Sequence, residues 1–145
     1  MIRDLSRGIG MTKERLKQYR FLVLEAAQLE QELLEHLNSS YIGGTVFDGV
    51  PKSGGISDTV PKLAIGSIKL YAMLTAKKNE AVRLCKEIEE CIAGLEPRER
   101  TLMRERYIFD KGWEEICVII GYSWRQIHNI HARILKKIEG NGKSA

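Results

Sequence analysis

Residues 113–138, WEEICVIIGYSWRQIHNIHARILKKI, form the stretch of sequence that decides the fold. Trp113 to Ile120 is apolar enough for about two turns of a packed helix, and Gly121 then permits the left-handed turn that ends a helix. We expect Ser123 to cap the next helix, because its hydroxyl can accept a hydrogen bond from a free backbone N–H. A short helix, a glycine-centred turn and a capped helix are together typical of a helix-turn-helix.

The helix that begins after Ser123 has one apolar face and one polar face. Its isoleucines recur three and four residues apart and are predicted to face the core, at Ile127, Ile130, Ile134 and Ile138. The residues left outside are Trp124, Arg125, Gln126, His128, Asn129 and Arg133. Arginine pairs well with guanine, and glutamine or asparagine with adenine, in the major groove of DNA. We therefore expect these outward residues to contact double-stranded DNA.

The positive charge of the chain is concentrated at its carboxyl end. The formal net charge is +4, and the basic side chains from Trp124 onward are Arg125, Arg133, Lys136, Lys137 and Lys143, against Glu139 alone. Such a cluster is expected where a protein contacts phosphates, although a solvated basic face is a common alternative. We predict that Lys136 and Lys137 contact the DNA backbone.

Several aromatic side chains in this region also have structural interpretations. Trp113 is predicted to belong to the core, because it opens an apolar helix and large aromatic residues dominate small cores. Trp124 either packs against the turn or contacts a sugar or a thymine methyl group. His131 falls between Ile127 and Ile134 on the apolar stripe, so we expect it at the margin of the core.

The segment LEPRERTLMRERYI, residues 95–108, precedes these two helices. Pro97 suits the start of a helix, and the residues that can then face inward are Leu95, Leu102, Met103 and Tyr107. A short break follows at residues 110–112. The sequence therefore predicts a three-helix helix-turn-helix domain over residues 95–138.

Two long amphipathic helices are predicted upstream of that domain, within an arm spanning residues 11–93. The first follows Thr12 as a cap and runs over residues 13–37, and the second runs over about 58–93 and ends at Gly94. Such helices fit an antiparallel hairpin, a coiled-coil-like arm in which each covers the apolar face of the other. The same stripes also fit contact with a second copy of the chain, and periodicity does not separate the two arrangements. The predicted fold class is all-α.

Three segments lack a periodic apolar pattern. Residues 1–10 are predicted to be a flexible leader, and residues 139–145 a flexible tail. Residues 38–60 are rich in glycine, serine and proline, which predicts a long loop. Within it, the Lys-Ser-Gly-Gly run at 52–55 lacks the preceding strand of a phosphate-binding loop, so nucleotide binding is not expected.

The composition argues against several classes of protein. In 145 residues, 43% are apolar and 29% charged, as in ordinary globular proteins, and the chain lacks a long apolar stretch and a secretory signal. We therefore expect a cytoplasmic protein without a membrane partner. The cysteines, Cys85, Cys91 and Cys117, are odd in number and are not spaced for zinc, so we expect no disulfide framework, metal or cofactor.

Enzymatic activity is not expected either. No paired carboxylates or metal-binding set converge on one segment of the sequence, and Ser123 lacks the partnered histidine and carboxylate of a nucleophile.

A longer frame of residues extends the helix-turn-helix pattern. It reads Leu95-x-Pro97-Arg98-Glu99-Arg100, Arg106-Tyr107, Trp113-x-Glu115-Ile116, Gly121-Tyr122-Ser123 and Ile127-x-x-Ile130-x-x-x-x-Leu135-x-x-Ile138. Over about 45 residues this frame resembles the fourth conserved region of bacterial sigma factors. With the opening Met11-Thr12-Lys13-Glu14-Arg15-Leu16 and the loop, the whole chain resembles the small sigma-like late-transcription regulators of phages and prophages in Gram-positive bacteria.

The resemblance implies a winged-helix-like DNA-binding domain whose last helix enters the major groove with Trp124, Arg125, Gln126, His128 and Asn129. It also makes RNA polymerase a candidate partner. Sigma factors usually carry more charged side chains where this chain has Trp124 and His128, so the target need not be a housekeeping promoter element. Since the chain has no room for the sigma domain that melts DNA, we expect an accessory activator or repressor.

Two functions remain open at this point. The first is sequence-specific regulation of transcription by a dimer that assembles through the long helices. The second is a DNA-packaging or structural role like that of a small phage terminase subunit, in which many copies form a ring around DNA. A ring of eight or more subunits would favour the second function.

Overall fold

The computed structural model describes residues 10–45 and 59–143. Its elements are α1 (Lys13–Thr45), α2 (Thr59–Ile92), α3 (Pro97–Met103), a π-helical turn (Arg104–Ile108), α4 (Trp113–Ile120) and α5 (Trp124–Lys143). These described residues contain no strand, so the predicted all-α class is confirmed.

Two helices extend further than the apolar patterns indicated. α1 continues to Thr45, into the predicted loop at 38–60, whereas α2 spans Thr59–Ile92, close to the predicted 58–93. The extension has a physical basis, because a glycine within a helix costs only about 1 kcal/mol relative to alanine. α5 likewise continues to Lys143, into the predicted tail at 139–145. The rest of the predicted loop, most of the predicted leader, and residues 144–145 lie outside the described residues.

The chain forms two compact units, and both long helices pass from one to the other. Unit 1 contains residues up to Phe21 and from Ala81 onward, and unit 2 contains Leu22–Glu80. This division differs from the predicted segments 11–93 and 95–138, since the boundary lies within the long helices instead of at Gly94. The reason is that the first turns of α1 and the last turns of α2 contribute fully buried side chains to unit 1.

The core of unit 1 is built from all five helices. Its fully buried side chains are Leu16, Leu84, Ile88, Ile92, Leu102, Met103, Ile116, Ile127, Ile134 and Ile138. Tyr107 is also buried, whereas Leu95 and Ile130 are partly exposed. The predicted inward faces of α3 and α5 are thus confirmed at most of their positions. A module of roughly 50 residues buries too little apolar surface by itself, and the ends of α1 and α2 enlarge this core.

Within unit 2, side chains of α1 contact side chains of α2. Lys77 Nζ lies 2.9 Å from Glu25 Oε2, and Lys78 Nζ lies 3.5 Å from Glu30 Oε1. At Gly66 a Cβ atom would lie 3.0 Å from the Nε2 atom of His36, so this close approach favours glycine. Later residues of α1 therefore pair with earlier residues of α2.

Unit 2 leaves much of its apolar surface exposed. Leu74 and Ala26 are buried, but Ile65 and Ile68 are 65% and 69% exposed and Tyr71 is 63% exposed. All three belong to the apolar pattern from which the second amphipathic helix was predicted, and the structure does not bury them. A pair of helices covers one face of each partner, and the stripe in this part of α2 is wider than that face.

The connections within unit 1 have clear local causes. Thr12 caps α1 as predicted, since its Oγ1 accepts a hydrogen bond of 3.2 Å from the backbone N–H of Arg15. The π-helical turn follows α3, where the N–H of Phe109 donates to the carbonyl of Arg104 at 2.9 Å. Gly121 ends α4 with a φ of 82°, as the sequence predicted, and its N–H donates to the carbonyl of Cys117 at 2.8 Å.

The two exposed glycines Gly121 and Gly140 should respond in opposite directions to the same substitution. Gly121→Ala places a Cβ atom in a left-handed conformation, so we expect the free energy of unfolding to fall by about 1–2 kcal/mol. Gly140 lies inside α5 with nothing within 4 Å of its missing Cβ, so Gly140→Ala should raise that free energy, by up to about 1 kcal/mol. Urea denaturation of both variants measures the difference. Equal effects of the two variants would contradict the proposed role of the turn.

Candidate nucleic-acid interface

The turn between α4 and α5 is closed by reciprocal hydrogen bonds at the start of α5. The N–H of Gln126 donates to Ser123 Oγ at 3.2 Å, and the N–H of Ser123 donates to Gln126 Oε1 at 3.0 Å. This is a capping box, which satisfies two backbone donors that would otherwise lack partners. The first turn of α5 is therefore held rigidly behind the left-handed Gly121.

The predicted contact residues lie mainly on the solvent-exposed side of α5. The exposed ones are Trp124, Arg125, Gln126, Asn129, Arg133, Lys136 and Lys137, whereas His128 is partly buried. Ile127, Ile134 and Ile138 occupy the opposite, buried side. The structure therefore brings most of the predicted residues together on one accessible surface.

Gln126 has a structural role that the sequence analysis missed. Its side-chain carbonyl accepts a hydrogen bond in the capping box, which ties the side chain to the backbone of Ser123. The signal was present in the sequence, because serine followed three residues later by glutamine is a capping-box pattern. Gln126 is therefore better described as a residue that positions α5 than as a free base contact.

His128 lies between two tryptophans instead of standing out from the helix. Its ring centroid is 4.8 Å from that of Trp113 and 4.6 Å from that of Trp124. Its Nε2 atom is buried and has no hydrogen-bond partner among the described residues. This placement gives His128 a packing role, which differs from the base contact expected from the sequence.

Trp113 is only partly buried, although it was predicted to be a core residue. The guanidinium of Arg106 lies 4.5 Å from the centre of its ring, and the ring of His131 lies 4.7 Å away on another side. Arg106 is itself fixed, because its Nη1 donates to the carbonyl of Lys111 at 3.1 Å. Trp113 thus joins the end of the π-helical turn to α5, through the guanidinium of Arg106 on one side and tilted or edge-on contacts with histidine rings on the other.

His131 is buried, as its place on the apolar stripe predicted. Its Nε2 and the hydroxyl of Tyr107 share a hydrogen bond of 2.6 Å. Burial, together with the nearby charges of Lys13 and Arg106, lowers the pKa of His131 to about 4. Burial also raises the pKa of Tyr107 to about 12. Both groups are therefore neutral at physiological pH.

The basic side chains of α5 differ in whether they have ionic partners. Lys137 Nζ lies 3.3 Å from Glu99 Oε2, a mostly buried carboxylate of α3. Over the part of the chain that the structure describes, Arg125, Arg133 and Lys136 form no ion pair. The positive charge available to a ligand therefore lies with these three residues, and Lys137 contributes less than the sequence predicted.

No metal site or membrane-crossing helix is found in the described parts of the chain. Within residues 10–45 and 59–143, no three histidine, cysteine or acidic side chains are grouped so that they could hold a metal ion. No helix in those ranges has both the length and the apolar character that crossing a membrane requires. No protein-family model, curated protein or solved structure matches this chain.

The neutral, buried His131 predicts a specific dependence of stability on pH. Since its pKa falls from 6.5 to about 4 on folding, its neutral form stabilises the fold above pH 6.5. As the pH falls towards 4, the unfolded chain takes up a proton that the folded chain does not. We expect the free energy of unfolding to fall by up to about 3 kcal/mol over that interval.

The control for this prediction is the double variant Tyr107→Phe/His131→Phe, which removes both partners of the hydrogen bond and leaves no orphaned group. Its free energy of unfolding should depend less on pH between 6.5 and 4 than that of the wild-type protein. An NMR titration of the wild-type His131 ring protons provides a measurement that does not depend on the variant. Titration of that ring near pH 6.5 would show that His131 is not held neutral by burial.

Proposed function

We propose that this protein binds double-stranded DNA with sequence preference through the exposed face of α5. The observation that carries the proposal is the row of polar side chains Arg125, Asn129, Arg133 and Lys136, which we call the reading face. These residues are three or four apart, so they lie on one side of the helix. The capping box fixes the start of that side, and the buried isoleucines fix its rotation.

The chemistry of the reading face suits a major groove. Arg125 and Asn129 lie in the first turns of α5, where a recognition helix contacts base edges, and arginine and asparagine pair with guanine and adenine respectively. Arg133 and Lys136 follow further along the same side and suit phosphate contacts. α4, the turn at residues 121–123 and α5 would then act as a helix-turn-helix.

The more specific proposal is a sigma-like transcription regulator of phage or prophage origin, with RNA polymerase as a candidate partner. It rests on the resemblance to the fourth region of sigma factors. One contact supports this resemblance. Arg98 Nη1 donates to the hydroxyl of Tyr122 at 3.3 Å, and so links two of the sequence segments that carry the resemblance, Pro97–Arg100 and Gly121–Ser123. A role in transcription would place the protein in the cytoplasm.

We also propose that the protein assembles through unit 2. The long helices would form an antiparallel hairpin, supported by the ion pairs of Lys77 and Lys78 with α1. The exposed apolar side chains of this unit include Ile65, Ile68 and Tyr71. Exposed apolar patches of this kind are common at protein interfaces, and a second copy of the chain is the simplest occupant. A packaging ring is the alternative assembly.

Alanine substitutions distinguish the residues of α5 that contact bases from the residue that positions the helix. Arg125→Ala and Asn129→Ala should each reduce discrimination between preferred and altered duplexes by about 1–3 kcal/mol. Gln126→Ala should instead lower the free energy of unfolding, by about 1 kcal/mol, because it removes a capping interaction. Selection of bound sequences from random duplex DNA, followed by binding titrations, measures the first effect. If Arg125→Ala and Asn129→Ala keep wild-type affinity and preference, α5 is not the recognition helix.

Lysine substitutions at the end of α5 provide a matched control for charge. Lys136→Gln should weaken binding to all duplexes alike and reduce the salt dependence by about one unit of slope. Lys137→Gln should have a smaller effect, because the ammonium of Lys137 already pairs with Glu99. Binding titrations at several salt concentrations compare the two variants. An unchanged slope for both would mean that these lysines form a solvated surface without phosphate contacts.

Charged substitutions in unit 2 test the proposed assembly. The double variant Ile65→Glu/Ile68→Glu places charges on the exposed apolar surface, so sedimentation should show a monomer where the wild-type protein forms a dimer. Val118→Glu is the control, because Val118 is an 84% exposed apolar residue of α4 in unit 1. A wild-type particle of eight or more subunits would favour the packaging role. Dimers that survive the double variant would exclude this surface as the interface.

A further inference from the structure

A cavity of about 290 Å³ lies in unit 1 beside the first turns of α1. The charged side chains in its lining are Lys13, Lys17, Arg20, Arg106 and Asp110. Arg20 Nε lies 3.2 Å from Asp110 Oδ2, so one cation and the one carboxylate of the lining neutralise each other. Among the described residues, no carboxylate forms an ion pair with Lys13, Lys17 or Arg106. The cavity therefore has three cations that a ligand could neutralise.

Lys13 and Lys17 are exposed on α1, whereas the guanidinium of Arg106 is held by its neighbours. Lys13 and Lys17 are one helical turn apart, so they lie on the same side of α1. Arg106 stacks on Trp113 and donates to the carbonyl of Lys111, which fixes its guanidinium in the cavity wall. The positive potential also acts on a neighbouring group, since Lys13 and Arg106 both contribute to the lowered pKa of His131.

The rest of the lining is apolar or aromatic. Leu16 and Tyr107 are buried, Trp113 is partly buried, and Phe21, also in the lining, is 57% exposed. Small-molecule sites commonly combine such walls with a few placed polar groups, and their volumes begin near 300 Å³. A DNA phosphate would use the cations but not the apolar wall. The combination therefore favours a small ligand that has both an anionic group and an apolar body.

We propose that this cavity binds a small phosphate monoester with an aromatic or apolar body. The phosphate would be held by Lys13, Lys17 and Arg106, and the body would pack against Phe21 and Trp113. A phosphate monoester carries close to two negative charges at neutral pH, which suits three cations better than a single carboxylate does. This site is separate from the reading face, and the inference does not depend on DNA binding.

The test uses the full chain with the substitution Trp124→Phe. The protein has two tryptophans, so this variant leaves Trp113 as the sole indole, in the cavity wall. Phenyl phosphate, phenol and inorganic phosphate are titrated separately while the fluorescence of Trp113 is followed. We expect a saturable change with phenyl phosphate. Phenol lacks the charge and inorganic phosphate lacks the ring. Each should therefore bind at least about tenfold more weakly than phenyl phosphate.

Variants of the cavity lysines decide where the probe binds. Lys13→Gln/Lys17→Gln should weaken phenyl phosphate binding by roughly tenfold or more, whereas Lys86→Gln, an exposed lysine of α2 outside the lining, should not. Absence of saturable binding, equal binding by the lysine variant, or equal affinity for phenol or inorganic phosphate overturns the proposal. If phenyl phosphate does not bind and the lysine variant loses affinity for duplex DNA, the cations belong to a DNA contact instead. Variants of the reading face that lose DNA binding should keep the wild-type affinity for phenyl phosphate.

Discussion

The burial of one face of α5 is the interaction on which the rest of unit 1 depends. Ile127, Ile134 and Ile138 are at most 1% exposed, and full burial of such a side chain is worth about 1.5–3 kcal/mol. Because a helix has a fixed period, this burial also fixes the direction in which Arg125 and Asn129 point. The same packing therefore stabilises the core and orients the polar surface. A rotation of α5 that changed the direction of Arg125 would also expose a buried isoleucine to water.

The partners of that face explain where the compact units divide. α3 and α4 contribute Leu102 and Ile116, but two short helices enclose little volume. Leu16 of α1 and Ile88 of α2 complete the enclosure, although they lie far from α5 in the sequence. An ion pair joins the same two helix ends, since Arg15 Nη2 lies 2.8 Å from Glu87 Oε2. The long helices are thus part of the scaffold that presents α5, in addition to any role in assembly.

Local patterns predicted the features of the fold that depend on nearby residues. The helical class, the left-handed Gly121 and the buried His131 all follow from spacing within a few turns. The π-helical turn, the unit boundary and the place of His128 between Trp113 and Trp124 depend on contacts between distant segments, which periodicity does not specify. Gln126 is a different case. The sequence indicated both that Gln126 lies on the outer face of the helix and that its spacing from Ser123 fits a capping box. In the structure, the Gln126 side chain is partly engaged by its hydrogen bonding with Ser123.

The aromatic cluster around Trp113 gives the two proposed ligand surfaces of unit 1 a physical connection. Trp113 lines the cationic cavity, and its ring also contacts His128 and His131 on α5. His131 lies on the buried side of the helix, while His128 contacts the exposed Trp124 at the start of the reading face. Because packed rings have few alternative arrangements, a displacement of Trp113 would have to be accommodated by these two histidines. Any coupling between the cavity and α5 would therefore pass through ring packing, with both His131 and Tyr107 remaining uncharged.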